Sequence, residues 1–393
     1  MIISTANRLN TVEEYYFSKK LRQIQEMKAE GKDIINIGIG SPDLPPSKQT
    51  VDALKKTANR QDIHGYQSYT GIPELRVAMA KWYKRVYDVD VDSGSEILPL
   101  MGSKEGIMHI SMAFLNSGDG VLVPNPGYLT YSSVSKLLDA NLLPYNLMEE
   151  NNWKPDWATL EDMDLEKVKI MWVNYPNMPT GADASYKLFE RLVSFAHKHN
   201  VLIVNDNPYS LVLNKDPKSI LEVDGAKEVA IELNSLSKSH NMAGWRVGMV
   251  LGASEYLQPI LKVKSNMDSG MFLGIQQAAI EALTNSEDWH ELQNKEYGLR
   301  RKMAYEILDM LDCRYTSNQV GMFVWAKVPE GVLSVEVWID ELLQKTNVFM
   351  TPGFIFGSAG ERYVRISLCS SLKVLEEAKN RLQKFHHQTP MNN

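Results

Sequence analysis

Cysteine is nearly absent: the chain carries Cys313 and Cys369 alone, too few for a disulfide framework and in keeping with a reducing cytosol. No apolar run approaches the ~20 residues that cross a bilayer, and the stretch from Met1 to Arg8 lacks the apolar heart of a secretion signal. A soluble, cytoplasmic protein with no membrane partner is the expectation. There is no basic stripe either. The net charge is -6 and acids and bases are interspersed, which argues against a nucleic-acid partner. His64, His109, His197, His199 and His240 show no ligand spacing backed by cysteine or carboxylate clusters, so no metal site is expected. Neither repeats nor low-complexity linkers interrupt the chain.

What is present suits a large globular fold. At 393 residues, 44% hydrophobic and 23% charged, the chain is long enough for two domains with a substantial core. Short apolar runs at Gly120–Val123, Val168–Val173 and Val201–Val204 read as strands ending in polar or proline-rich loops. Between them lie helical stretches such as Tyr186 to His199, where Leu188, Phe189, Leu192, Val193 and Ala196 recur at helical spacing. Strands rich in Val and Ile with helical crossovers predict an α/β fold with a largely parallel sheet covered on both faces. Ligands bind such sheets beyond the carboxyl ends of the strands. A smaller region begins at about residue 290 with a long charged helix. It continues with strands at Met322–Ala326 and Tyr363–Leu368, and a C-terminal amphipathic helix from Val374 to Phe385. The 19 methionines read as adaptable core fillers.

Four segments at strand ends carry chemistry. The first runs from Asn234 to Gly248 and holds Ser235-Leu236-Ser237-Lys238 followed by Gly244-Trp245-Arg246-Val247-Gly248. A lysine among small residues becomes a nucleophile where a cationic or apolar surround depresses its pKa, and glycines beside Arg246 let backbone and guanidinium grip an anion. A lone lysine among serines is usually a solvated loop; the combination is far more specific. In the second, Asp206 ends an apolar strand with Tyr209 three residues on. A carboxylate there suits a protonated ring nitrogen; taken alone it reads as a helix cap. In the third, Gly102-Ser103-Lys104 opens a helix, and free backbone amides with a hydroxyl make a phosphate site. This segment is neither of the two glycine-rich nucleotide patterns, and a plain helix start is common. The fourth, Pro124-Asn125-Pro126-Gly127-Tyr128, places an aromatic ring at a strand end, where it can stack on a planar group or simply be buried.

Together, in this order, the segments resemble the class I and II aminotransferases of fold type I, which depend on pyridoxal 5'-phosphate (PLP). The likeness runs from Asn36–Pro45, similar to the family's Gly-x-Pro-Asp stretch, through Tyr66–Arg76 to Thr351–Gly357 and Tyr363–Ser367. It implies a large domain with a mostly parallel seven-stranded sheet flanked by helices, plus a smaller α+β domain. The expected division is 1–41 for an N-terminal arm and part of the small domain, 42–289 for the large PLP-binding domain, and 290–393 for the small C-terminal domain. By resemblance Lys238 forms the Schiff base with PLP and shuttles protons, Asp206 pairs with the ring nitrogen, and Tyr209 donates to the ring's phenolate oxygen. Ser103, Lys104, Ser235 and Arg246 resemble the phosphate cup, and Tyr128 the stacking ring. Tyr66 resembles a residue that reaches the phosphate of a neighbouring subunit, implying a homodimer with shared sites. Arg365 and Gly40 resemble the elements that hold the substrate's α-carboxylate.

One departure stands out. Asn177-Met178-Pro179-Thr180-Gly181 is similar to the family's Asn-Pro-Thr-Gly loop, but Met178 occupies the place of the asparagine that donates to the phenolate oxygen. Methionine has no donor, so the Schiff base should bind its proton more tightly, unless Asn177 turns inward as a substitute. The implied reaction is ping-pong transfer of an amino group from an L-amino acid to a 2-oxo acid, with 2-oxoglutarate the expected acceptor. A C–S lyase on the same fold and a non-catalytic PLP-binding regulator are the competing readings. Lys264–Phe272 is similar to the stretch found in alanine and LL-diaminopimelate aminotransferases. It offers no arginine for an acidic side chain, for which Arg8, Arg22 and Lys104 are alternatives. The N-terminal segment from Asn10 to Tyr16, with Tyr15, Tyr16 and Phe17, reads as either part of a lid over the site or a plain dimer arm or core contact.

Overall fold

The computed structural model describes residues 3–12 and 16–388, with side chains to Lys384. Among the described residues twelve strands form three sheets. In chain order they are β1 (Ile35–Asn36), β2 (Ile97–Leu100), β3 (Gly120–Asn125), β4 (Asn141–Asn146), β5 (Val168–Val173), β6 (Leu202–Asp206), β7 (Ala230–Ser235), β8 (Gly248–Leu251), β9 (Phe323–Lys327), β10 (Val348–Phe349), β11 (Thr351–Pro352) and β12 (Tyr363–Ser367).

The large sheet has seven strands in the order β2-β8-β7-β6-β5-β3-β4. All its neighbours pair in parallel except β8, which runs against both β2 and β7. The central strands are buried on both faces: every residue of β6 and β7 is inside. That explains why they read as apolar runs rather than as alternating patterns. The expected strand Val168–Val173 and helix Tyr186–His199 appear with those bounds. That helix is set by its ends. The Ser185 hydroxyl accepts from the Leu188 amide at 3.2 Å, and Asn200 closes the helix in the left-handed region at φ 54°. Its apolar stripe then packs Leu188, Phe189, Leu192, Val193 and Ala196 into the core.

The second sheet, β11-β12-β9, is antiparallel, with Arg365 of the central strand β12 opposite Trp325 of β9. The N-terminal part of the chain joins this region, since β1 pairs in parallel with β10 and the Lys20 ammonium meets the Asp340 carboxylate. The expected long helix is Glu287–Met310, and the C-terminal one extends over Leu372–Gln388. Among the described residues no helix is long and apolar enough to cross a membrane.

Candidate active site

The carboxyl ends of β2, β3, β5, β6 and β7 lie along one edge of the large sheet, and their loops wall a cavity of 650 Å³. The far wall comes from the second region: Phe323, Ile355, Phe356 and Arg365. Of the residues expected from sequence, Lys238, Asp206, Tyr209, Ser103, Lys104, Tyr128, Ser235, Arg246, Gly40 and Arg365 all line it. Asn177 and Tyr66 do not.

Lys238 sits on a single helical turn, Leu236–Ser239, directly after β7. Ser235 starts that turn by accepting from the Ser237 amide, and its own hydroxyl reaches Ser237 Oγ at 2.8 Å. The Lys238 ammonium donates to the carbonyl of Gly40, which brings the N-terminal segment over the site. Burial holds this amine below the usual lysine range, and the Arg365 and Arg246 charges push the same way. A neutral amine is what nucleophilic attack requires.

Asp206 ends β6 facing the cavity, almost wholly buried. One carboxylate oxygen accepts from the Tyr131 hydroxyl at 2.8 Å; Oδ1 has no partner among the described residues. Burial pushes this carboxyl up to about 7, partly offset by the Tyr131 bond and reinforced by the nearby Glu232 charge. Tyr131 is itself fixed by stacking on Trp172, with ring centroids 4.9 Å apart and planes 6° from parallel. Tyr131 was missed in the sequence, although it follows Tyr128 by three residues at a helix start, the spacing that puts both rings on one face. Removing the hydroxyl in Tyr131→Phe strips the carboxylate of its one side-chain donor among the described residues and favours the protonated acid. The expected outcome is a 10- to 100-fold drop in kcat, roughly the value of a hydrogen bond to a charged group, with normal folding by circular dichroism.

An anion cradle closes the opposite end. The helix Ser103–Phe114 points its free amides at the cavity, and Gly102 before it has φ 90°, a conformation that favours glycine. A side chain there would also collide with the guanidinium of Arg246, whose Nη2 lies 2.2 Å from the position of a Cβ. Arg246 has a left-handed backbone, φ 58°, uncommon for a residue other than glycine and a frequent sign of a functional site. Behind the cradle the carboxylate of Glu105 meets His109 Nε2 at 2.8 Å and accepts from the Met101 amide. Asp268 joins this cluster with both oxygens bonded to the Lys264 ammonium. Within each group the partners stand four residues apart, but the two groups are distant in the chain, and no local motif announces their meeting.

Arg365 is buried between the rings of Phe323 and Phe356, 4.0 Å and 4.6 Å from its guanidinium carbon. Nη2 donates to the Gly38 carbonyl at 2.8 Å, Nη1 to the Met178 sulfur at 3.3 Å, and Nε has no partner among the described residues. Burial without a carboxylate partner drives its pKa down to about 10. Tyr209 lies edge-on to Phe323, and burial raises its phenol well above the usual tyrosine value, against the pull of Arg365.

In the loop after β5, Asn177 stands outside the cavity lining: its side-chain oxygen is held by the amide and hydroxyl of Thr180, and its Nδ2 is buried with no partner among the described residues. Instead Met178 and Asn174 line the cavity. Asn174, also missed in the sequence, accepts from the Met178 amide and donates to the Asp206 carbonyl, tying two strand-end loops together. Of the N-terminal aromatics, Tyr15 lies outside the described residues. Tyr16 packs edge-on against Phe354 at 5.0 Å, and Phe17 with Ser18 lines the cavity.

Residues 32–382 match the pattern of the family described as aminotransferase class I and II. The chain belongs to that family. Among curated proteins, this aminotransferase is 42% identical over 380 residues to the LL-diaminopimelate aminotransferase of Oleidesulfovibrio alaskensis, covering 96% of this chain and 98% of the relative. It is 43% identical over 383 residues to the protein of that name from Maridesulfovibrio salexigens, covering 97% and 98%. Among solved structures, substrate-bound BacF of Bacillus subtilis superposes with a TM-score of 0.93 at 35% identity, over 98% of each chain. A Thermus thermophilus aspartate aminotransferase mutant at 24% identity shares the fold with a TM-score of 0.90, over 98% of this chain and 100% of that one.

The family depends on PLP, and the residues here fit that group. A buried, unpartnered oxygen of Asp206 is an acceptor waiting for a ring N–H, the cradle at Gly102 and Arg246 suits a phosphate, and an amine with a lowered pKa stands beside them. The enzyme transfers amino groups, and neither the lyase nor the regulator reading gains support.

Proposed function

We propose that the aminotransferase takes its amino group from an L-amino acid whose long side chain ends in a second carboxylate, of the LL-diaminopimelate kind for which its relatives are named. The observation that carries this reading is Lys104. It lines the cavity, is exposed, and has no ion pair among the described residues. Arg246 faces the phosphate cradle and Arg365 the α-carboxylate, which leaves Lys104 as the cation available for a distal anion.

When bound, PLP supplies an aldehyde carbon that condenses with amines and a protonated ring that draws off electrons. The chain's own groups do the rest. Arg365 receives the α-carboxylate in its planar fork, under the backbone of Gly40. Lys238 Nζ would hold the cofactor and, once freed by the incoming amine, would serve as the base that moves the proton of the donor's Cα. Asp206 Oδ1 would face the ring nitrogen and hold its proton, and Tyr209 would donate to the phenolate oxygen. Tyr128 would lie against the ring. Ser103, Lys104 (through its backbone amide), Ser235 and Arg246 hold the phosphate.

We infer further that two copies of the chain share their sites. Tyr66 is 93% exposed and outside its own cavity, as suits a side chain that serves a neighbour. The pairing of β1 with β10 supports grouping residues 1–41 with 290–393 as one domain and 42–289 as the other. Two buried free cysteines suit a cytoplasmic home.

The test is the first half-reaction. LL-diaminopimelate added without an oxo acid is expected to bleach the visible band of bound PLP. Lys104→Met should raise the KM for this donor about 10- to 100-fold while leaving that for norleucine unchanged, the loss expected for a charge-assisted hydrogen bond. A second reading, an apolar donor, is favoured by Phe17, Leu129, Ile355 and Phe356 in the wall. Bleaching by phenylalanine or norleucine but not by LL-diaminopimelate would select it.

A further inference from the structure

The thioether sulfur of Met178 does more than leave a donor out. It accepts from Nη1 of Arg365 at 3.3 Å, so the side chain that replaces the family's asparagine packs its sulfur on the carboxylate-binding arginine. The position is not accidental, because the loop is stiff. The Met178 amide donates to Asn174 Oδ1 at 2.8 Å, and the Asn177 amide and carbonyl pair with Ala182 and Gly181, each at 2.8 Å. Apart from this sulfur, the guanidinium has one oxygen partner, the Gly38 carbonyl, and its Nε–H is buried without any among the described residues. The rings of Phe323 and Phe356 lie against it, and the side chain is buried.

A thioether is a weak acceptor and no donor. An amide in the same place would accept strongly from Arg365 on one side and donate toward the cofactor's phenolate oxygen on the other. It would satisfy part of the guanidinium before any substrate arrived, and it would join the carboxylate site to the cofactor by a continuous hydrogen-bond chain. We propose that Met178 is a positioning residue for Arg365: it fixes the guanidinium by packing while leaving its hydrogen-bonding capacity for the incoming carboxylate, and it disconnects that event from the cofactor. This rests on Arg365 being the α-carboxylate site. Two consequences follow from the chemistry. The enzyme grips carboxylates more tightly than an asparagine variant would, because a desolvated cation with unmet donors gains more from an anion. Carboxylate binding then reaches the protonation of the Schiff base only through space, by offsetting the Arg365 charge, since no donor relays it.

The experiment uses the PLP-loaded enzyme and 3-phenylpropanoate, a carboxylate without an amine. Its Kd is measured by titration calorimetry, and the pH midpoint of the visible band is recorded with and without it. Met178→Asn is expected to weaken binding about tenfold, to lower the midpoint of the free enzyme, and to make that midpoint respond more strongly to the ligand than the parent's does. Met178→Leu, which keeps the volume and removes the sulfur, should stay within about twofold of the parent in Kd. An asparagine variant with unchanged Kd and midpoint overturns the proposal, as does a leucine variant that binds tenfold more weakly. Arg365→Leu separates the two layers: if it still binds 3-phenylpropanoate, the carboxylate role of Arg365 falls and this inference with it. If it does not, a failure in the Met178 variants counts against Met178 alone.

Discussion

Lys238→Ala is expected to abolish amino-group transfer, with kcat at least about 10³-fold lower, because one side chain supplies both the covalent hold on PLP and the proton shuttle. Lys238→Arg should be equally inactive. A guanidinium keeps the positive charge but neither condenses with an aldehyde nor gives up its proton in this pH range. The pair of variants therefore separates chemistry from electrostatics. If the charge of Lys238 were what mattered, arginine would retain activity; if the amine matters, both lose it. The structure favours the amine, since burial and the flanking Arg365 and Arg246 charges already disfavour a permanent cation at this point. Both variants should keep the anion cradle of Ser103, Gly102 and Arg246, which shares no hydrogen bond with the lysine. Absorbance of bound PLP after desalting, read beside an oxo-acid-dependent transfer assay, checks both halves. Substantial turnover by either variant would remove Lys238 from the mechanism.

What the sequence revealed depended on whether the information was local. Lys238, Asp206 and Tyr128 stand within a few residues of strand ends, and strand ends follow from apolar runs bounded by Pro, Gly and Asn. The parallel sheet then gathers those ends on one edge, so residues far apart in the chain converge without any motif linking them. Hydrogen bonds between loops were not legible in this way. Asn177 and Met178 are neighbours, and which one faces the cavity is decided by the bonds of Asn177 to Thr180 and of Met178 to Asn174, a turn geometry that composition does not encode. Tyr131 and Asn174 gain their roles only once β6 lies beside β5 and the helix after β3 folds over them. The phenyl walls around Arg365 depend on Phe323 arriving from β9, the neighbouring strand of its own sheet but distant in the chain.

Asp206→Asn should pull activity and stability in opposite directions, and the opposition is diagnostic. In the protein without PLP the carboxyl lies buried with one oxygen unpartnered, and its folded pKa stands at about 7 against an ordinary 3.8. A folded value above the unfolded one means the folded form binds the proton more readily. The contribution to stability is then fully present below about pH 4 and is lost as pH rises through 7. At pH 8 the parent apoprotein carries the cost of a buried, poorly solvated charge. Asparagine removes that charge, so the apo variant should melt higher at pH 8 by about 2–4 °C, with the difference shrinking toward pH 5. With PLP the order reverses. The aspartate gains a protonated ring nitrogen as its partner, whereas the asparagine amide neither stabilises that charge nor keeps the ring protonated. The holo variant should bind PLP more weakly, gain less in melting temperature from saturating cofactor, and show kcat about 10³-fold lower. Melting curves of apo and holo forms at pH 5 and pH 8 test this directly. A variant that melts like the parent in all four conditions would mean that Asp206 does not face the cofactor as a charge. A variant destabilised in the apo form would mean that the buried carboxylate is a structural anchor, not a group held at a cost for function.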